Sequence, residues 1–252
     1  MTNFHKCGCT KEKCTYWPPV HNYEGDFLIG DIDKLCTTFF HIMPIWEFDV
    51  MEHVCLQEDS FDCRHKNITL IVRVQDANNE TLKAVRFTNC IAIGRRPIHA
   101  EEFMVVDDSL LIPDTTLTIY NQLQPCHHSG GRDGTYDIRS CTEILIKWYN
   151  DKLKPKNITL KIQCGSIYKA VWKDQPSKYG KYGEDIYKTT AQNARDGITL
   201  ILKSGIDMTM IDDDGWEFLL SQVFENVNIT SELWYKKHDV NKKLNDLIKS
   251  LV

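Results

Sequence analysis

The chain has 252 residues, ten cysteines and a formal net charge of −5. This length allows one large domain or one domain with an appendage, and no apolar run approaches the ~20 residues that a membrane-spanning helix needs. The negative balance gives no support for tight binding to a polyanion over the whole surface, although it leaves room for a local basic face.

Residues 1–25 are rich in Cys, Pro and His and show no periodicity. We expect a Cys-rich N-terminal extension there, followed by one domain over residues 26–252. In that domain, residues 26–43 carry apolar side chains at helical spacing. A helix over 26–43 is therefore the first predicted element.

A β-hairpin is predicted next, from strands over 68–74 and 82–93 with a turn at Asp76 to Asn79. Helices and strands then alternate: a helix from His99 to about Leu111, a strand over 115–123, a helix over 138–153, a strand over 158–167, a helix over 191–203, a strand over 206–211, and helices over 216–227 and 231–252. Hairpin strands pair antiparallel, whereas helical crossovers favour parallel neighbours. We therefore expect an α/β fold of three layers, with a five-stranded mixed sheet flanked by about six helices.

One histidine and two cysteines have the residue types of a catalytic zinc site. His99 lies near the start of a predicted helix, Cys126 follows a strand, and Cys141 begins another helix, for which Asp137 is a candidate N-cap. One imidazole and two thiolates give three ligands and leave a fourth position open. The sequence predicts that His99, Cys126 and Cys141 bind Zn²⁺.

Glu101 is the predicted catalytic residue, since a carboxylate that is not a ligand can carry protons. Residues two apart on the side of a helix point about 200° apart. His99 and Glu101 can therefore serve one metal only if the N-terminal end of their helix faces it, which Pro97 favours. Arg95 and Arg96, just before this segment, are placed for phosphate contact or are ordinary surface charges.

Fourteen residues, 127 to 140, separate the two cysteines and include a Ser-Gly-Gly sequence typical of a loop. Three interpretations stay open. Cys141 is the third ligand and the insertion is a flap, or His127 or His128 replaces it, or the site is dead and Cys141 is disulfide-bonded.

The other eight cysteines are an even number, which favours disulfides and an oxidising compartment. A second zinc site at Cys7, Cys9 and Cys14 is the alternative. Four Asn-x-Thr acceptors agree with a secreted glycoprotein whose signal peptide has been removed: Asn67, Asn79, Asn157 and Asn228. The eight cysteines are Cys7, Cys9, Cys14, Cys36, Cys55, Cys63, Cys90 and Cys164.

His-x-Glu followed by Pro-Cys and a further Cys is the signature of zinc-dependent nucleobase deaminases. Residues 143–153 and 159–162 are similar to the helix and strand that follow the zinc cysteines in the AID/APOBEC family, and 194–211 to its leucine-rich helix and last strand. The chain resembles that family over about residues 26–252, and its secreted branch most closely. The resemblance implies a cytidine deaminase-like fold, zinc, and conversion of cytosine to uracil in single-stranded DNA or RNA.

By position, the resemblance also implies that Asn89 contacts the sugar and that Tyr168 packs on the base. The chain departs from the family in having Leu123 where a stacking Trp is usual. The loop after Tyr168 interleaves aromatic residues with lysines, which could bind bases and phosphates. Two alternatives stay open: a deaminase of free cytidine or deoxycytidine, and a catalytically silent secreted binding module on the same scaffold.

Overall fold

The computed structural model describes residues 22–25, 27–35, 38–39, 68–89, 98–129, 139–167, 169–171, 184–225, 229 and 231–252. The Cys-rich extension lies outside these residues up to position 21, so the predicted domain boundary stays a prediction.

A mixed β-sheet runs through the described part of the chain. Its strands are β1 (Asn22–Glu24), β2 (Thr69–Gln75), β3 (Thr81–Thr88), β4 (Thr116–Asn121), β5 (Thr159–Cys164) and β6 (Asp207–Met210), in the spatial order β1-β3-β2-β4-β5-β6. β2 pairs antiparallel with β3 and with β4, whereas β4, β5 and β6 are parallel. The five predicted strands and their mixed direction are confirmed, and β1 adds a three-residue edge strand beside β3.

Helices connect and cover these strands. The described α-helices are α1 (Ile32–Leu35), α2 (Ala100–Met104), α3 (Cys141–Trp148), α4 (Glu184–Lys203), α5 (Asp213–Ser221) and α6 (Ser231–Ser250). Only Arg73 of β2 and Thr116 of β4 are not buried, so these two strands are covered on both faces. The predicted α/β fold with about six helices is therefore confirmed in the described residues.

Some predicted helix bounds are wrong. The predicted helix over 26–43 begins at Ile32, because Phe27 and Gly30 have φ angles of 58° and 90°; its residues 36–37 and 40–43 lie outside the described part of the chain. The Gly30 amide donates instead to Gln222 O at 3.0 Å. The predicted helix from His99 to Leu111 ends at Met104. Apolar residues at helical spacing also fit an irregular segment pressed onto a core, which is why periodicity misjudged both.

No helix among the described residues is long and apolar enough to cross a membrane.

One cation of α6 is enclosed by the fold. Lys237 is 1% exposed, and its Nζ donates to Gly165 O at 3.0 Å. The ammonium lies 5.6 Å from the centre of the Trp216 ring. Burial lowers the pKa of Lys237 to about 7. The folded state therefore binds its proton more weakly than the unfolded chain does.

This pKa predicts a rise of stability with pH. Between about pH 7 and the ordinary lysine pKa of 10.5, the unfolded chain holds a proton on Lys237 that the folded chain has released, so the free energy of unfolding increases with pH. Lys237→Met should remove this pH dependence, which changes the free energy of unfolding by on the order of a few kcal/mol over that pH range. Urea unfolding at several pH values measures it. Lys243→Met, at an exposed lysine paired with Asp239, should keep the wild-type slope; an equal loss of slope in both variants would contradict the assignment.

Candidate metal centre

The three ligands predicted from the sequence converge at the carboxyl end of β4. His99 Nδ1 lies 3.1 Å from Cys141 Sγ and 3.5 Å from Cys126 Sγ. In a tetrahedral zinc site with Zn–N of ~2.05 Å and Zn–S of ~2.3 Å, nitrogen and sulfur ligands lie about 3.5 Å apart. His99, Cys126 and Cys141 thus form a group that could hold a metal ion, and their donor types are those of zinc.

The start of α2 places the imidazole. His99 is the N-cap residue of this helix, with extended φ and ψ of −79° and 155°. Its backbone amide donates to Glu102 Oε1 at 3.1 Å, and Val105 N donates to Glu101 O at 3.0 Å. The ring therefore leaves the chain ahead of the first turn, as the His-x-Glu spacing requires.

The start of α3 places the second thiol. Cys141 is the first residue of the helix and is 1% exposed. Ser140 is the N-cap, because its Oγ accepts from Glu143 N at 3.0 Å. The expected N-cap at Asp137 is therefore wrong, because Ser140, three residues closer to the helix, caps it instead.

Backbone pairing closes the base of the insertion, which we call the neck (residues 126–129 and 139–142). His127 and Ser140 form an antiparallel bridge, and His128 N donates to Arg139 O at 2.8 Å. Thr142 N donates to Cys126 O at 3.1 Å. The two sulfurs therefore meet although fourteen residues, 127 to 140, lie between them in the sequence.

Helix α4 packs against the neck. A Cβ added at Gly197 would come within 2.6 Å of His127 Cβ, so the helix approaches this closely only because residue 197 is glycine. Asn193 Nδ2 donates to His128 O at 3.2 Å, and Lys169 Nζ donates to Ser129 O. These contacts fix the segment that follows Cys126.

The pKa values of the two thiols are shifted in opposite directions. The hydrogen bond with Cys141, opposed by burial and helped by His99, holds the pKa of Cys126 well below its usual range. The same hydrogen bond, together with burial and the Glu101 charge, raises the pKa of Cys141. Two thiolates close enough to share a hydrogen bond would repel each other. A divalent cation between them would let both ionise.

The imidazole of His99 and the carboxyl group of Glu101 both have raised pKa values. Burial opposes the charged imidazole, but the hydrogen bond with Cys126 and the charges of Glu101 and Cys126 outweigh it and raise the pKa of His99. Glu101 is 4% exposed. Burial first, and then the Cys126 charge, raises the pKa of Glu101. A carboxyl group with a raised pKa is suited to holding and releasing a proton.

Asn121 is a site residue that the sequence did not reveal. It ends β4, is 1% exposed, and its Nδ2 donates to Glu101 Oε1 at 3.0 Å. Its position five residues before Cys126 at a strand end was the available signal, but an asparagine there also reads as a turn residue.

Of the four residues expected to contact a substrate, the structure describes only Asn89. Asn89 follows β3 as expected, and its Oδ1 accepts from Ile68 N at 2.9 Å, which closes the β2–β3 end. Its contact with a sugar stays a prediction. Tyr168, Arg95 and Arg96 lie outside the described residues, and so does the Lys- and aromatic-rich loop over 172–183.

Cys126, Cys141 and Cys164 are free thiols. The interpretation in which Cys141 is disulfide-bonded is therefore wrong. The expected disulfide set is also wrong for Cys164, which is completely buried at the end of β5. The other seven cysteines of that set, and the alternative zinc site at Cys7, Cys9 and Cys14, lie outside the described residues.

No family model matches the chain, and no curated protein matches it either. The geometry of the site is thus the main support for a function.

Replacing one sulfur should remove one bound metal ion. Cys126→Ala or Cys141→Ala leaves two ligands, so each variant should contain about one equivalent less zinc than the wild type after purification without chelator. Metal analysis by mass spectrometry measures the difference.

Cys164→Ala is the control matched to Cys141, since it removes a thiol that is also buried but lies outside the ligand group, and it should keep the wild-type zinc content. Full zinc in Cys141→Ala combined with a loss in His127→Ala would transfer the ligand role to the histidine.

Proposed function

We propose that the protein is a zinc-dependent hydrolytic deaminase that converts cytosine to uracil, in single-stranded DNA or RNA. The observation that supports it is a buried carboxyl group, Glu101, beside the group of His99, Cys126 and Cys141 and not one of its members. Nucleobase deamination on zinc needs three protein ligands and one separate carboxylate, with a histidine two residues before that carboxylate.

The chemistry divides between metal and carboxylate. Zinc bound by these ligands would lower the pKa of a water molecule toward neutrality. Glu101 would pass one proton of the attacking water to N3 of the base as the C4–O bond forms, and the second proton to the amino nitrogen as the C4–N bond breaks. Water is consumed and ammonia leaves. Burial raises the pKa of Glu101, which brings the carboxyl group closer to the value needed to work in both directions.

Asn121 would position the proton carrier. Its Nδ2 donates to Glu101 Oε1, which leaves the other carboxylate oxygen for proton transfer. Since Asn121 ends β4, the carboxyl group is tied to a central strand of the sheet.

Buried polar atoms support a heterocyclic base as the substrate. Thr88 Oγ1, Asn121 Oδ1 and Ser166 Oγ are buried and have no hydrogen-bond partner among the described residues. Thr88 ends β3, Asn121 ends β4, and Ser166 lies just after β5. Because these three strands run in the same direction, the atoms belong to one edge of the sheet, where a ligand with several polar atoms could bind.

Free cytidine or deoxycytidine is the second candidate substrate. Leu123, where the family has a stacking Trp, and the net charge of −5 favour a small substrate over a polynucleotide. Uracil formation on matched DNA and RNA oligonucleotides, and on the nucleosides, discriminates the two. Turnover of the nucleosides alone would restrict the proposal to the second candidate, and no turnover of any of them by zinc-loaded protein would refute both.

Glu101→Gln should abolish deamination while the protein keeps its zinc, because the amide cannot exchange a proton. The expected loss in kcat is about 10²–10⁴-fold. Glu217→Gln, at an exposed position of α5, is the control and should behave as the wild type. Unchanged turnover in Glu101→Gln would remove Glu101 from the mechanism.

Asn121→Ala should lower kcat roughly 10- to 100-fold with little change in KM or zinc content, as expected when a residue that orients a catalytic group is lost. Asn241→Ala is the matched control. Asn241 is also buried, and its Nδ2 donates to a backbone carbonyl, Ile211 O, at 3.2 Å. Equal losses of kcat in the two variants would mean that Asn121 acts through folding alone.

A further inference from the structure

A second group of metal-ligand residues lies at the neck, next to the first. Ligand atoms of His127, His128 and Glu143 all lie within 4.8 Å of one another. His128 Nε2 is 3.7 Å from Glu143 Oε1, and the two imidazole rings have centroids 4.5 Å apart. In a tetrahedral site with bonds of ~2.0–2.1 Å, nitrogen and oxygen ligands lie about 3.3 Å apart, so only small side-chain movements separate this group from coordination geometry.

The imidazole of His127 is already oriented. Its Nδ1 is 2.8 Å from Ser140 Oγ, and its backbone is in the bridge with the same residue. Nε2 is therefore the ring atom available to a ligand. A hydrogen bond from one imidazole nitrogen to a neighbouring oxygen is the usual way in which a metal-binding histidine is held.

The backbone of His128 is held in an unusual conformation. Its φ is 49°, a left-handed value that is uncommon outside glycine, although histidine adopts it more often than most residues. The strained conformation persists because both backbone groups are bound, the amide to Arg139 O and the carbonyl to Asn193 Nδ2. His128 Nδ1 is also buried without a hydrogen-bond partner among the described residues. These backbone contacts hold the ring beside His127 and Glu143.

An ordinary ion pair does not account for this arrangement, because one carboxylate needs only one imidazole. The chain offers a comparison on α6, where His238 Nε2 lies 3.2 Å from Asp213 Oδ1. That pair is shorter, and no second histidine belongs to it among the described residues. The neck instead joins two imidazoles and a carboxylate, the donor set of His₂Glu zinc sites.

We propose that His127, His128 and Glu143 form a second site for a divalent transition-metal ion such as Zn²⁺, separate from the group of His99, Cys126 and Cys141. Imidazole and carboxylate ligands suit Zn²⁺, Cu²⁺ and Ni²⁺. Glu143 is exposed, which leaves room for water to complete the coordination. The ion links the segment after Cys126 to the first turn of α3, and so clasps the neck from which both thiols of the first site project. The site is independent of the proposed deaminase activity.

Metal counting tests the proposal. The protein is stripped with chelator under reducing conditions and titrated with Co²⁺ or Zn²⁺, and the equivalents bound are compared between variants. His128→Asn is the main variant, since asparagine tolerates a positive φ but lacks the imidazole. Glu143→Gln is the second variant; its side chain is 61% exposed, so the fold does not depend on it. His238→Asn is the matched control.

The expected result is a loss of about one equivalent in His128→Asn and in Glu143→Gln, and none in His238→Asn. Thiolate ligands give bound Co²⁺ an intense near-ultraviolet charge-transfer absorption, whereas imidazole and carboxylate ligands do not. The lost equivalent should therefore lack this absorption, and Cys126→Ala should lose an equivalent that has it. Bound metal should also raise Tm less in Glu143→Gln than in the wild type.

The proposal is overturned if both neck variants bind as many equivalents as the wild type. It is equally overturned if the equivalent lost from them carries the thiolate absorption, since the histidines would then serve the first site. Both results are read without any deaminase assay, so failure of the enzymatic proposal would leave this one standing.

Discussion

The site depends on the backbone pairing that closes the neck. One antiparallel bridge, between His127 and Ser140, and two flanking hydrogen bonds join the end of the β4 segment to the start of α3. Without this pairing, Cys126 and Cys141 would belong to two unrelated surface segments. With it, an imidazole at the start of α2 completes a ligand group that three separate elements supply.

The same end of the sheet brings a buried carboxyl group, Glu101, to the candidate ligands His99, Cys126 and Cys141. Glu101 is buried on α2 and bound by Asn121 from the end of β4, so a helix and a strand both fix it. Burying a carboxyl group is costly unless it is neutral or hydrogen-bonded. The fold bears this cost beside two thiols and an imidazole, where a group that changes its protonation state is useful.

Strand pattern and residue chemistry carried the sequence prediction a long way. The hairpin, the parallel crossovers and the grouping of His99, Cys126 and Cys141 all followed from short patterns of residues. What failed was set by tertiary contacts. Helical spacing over 26–43 could not reveal that Phe27 and Gly30 take positive φ angles, nor could the His99 helix show its end at Met104.

The missed site residues have the same explanation. Asn121 contacts Glu101 because the fold brings the end of β4 close to the start of α2, and a contact between residues twenty apart in sequence leaves no local signature. Likewise, His127 and His128 were expected only as substitutes for Cys141 in the first ligand group. Together with Glu143 they form a separate group. That grouping depends on Ser140, the N-cap of α3, and on the close approach of α4 at Gly197.

The closed neck has a consequence for how such a site can vary. Once the chain on either side of residues 130–138 is paired, the number of residues joined in between no longer affects where the two sulfurs lie. That peptide could therefore be lengthened, shortened or exchanged, as the tip of a hairpin can, without moving the candidate ligands His99, Cys126 and Cys141.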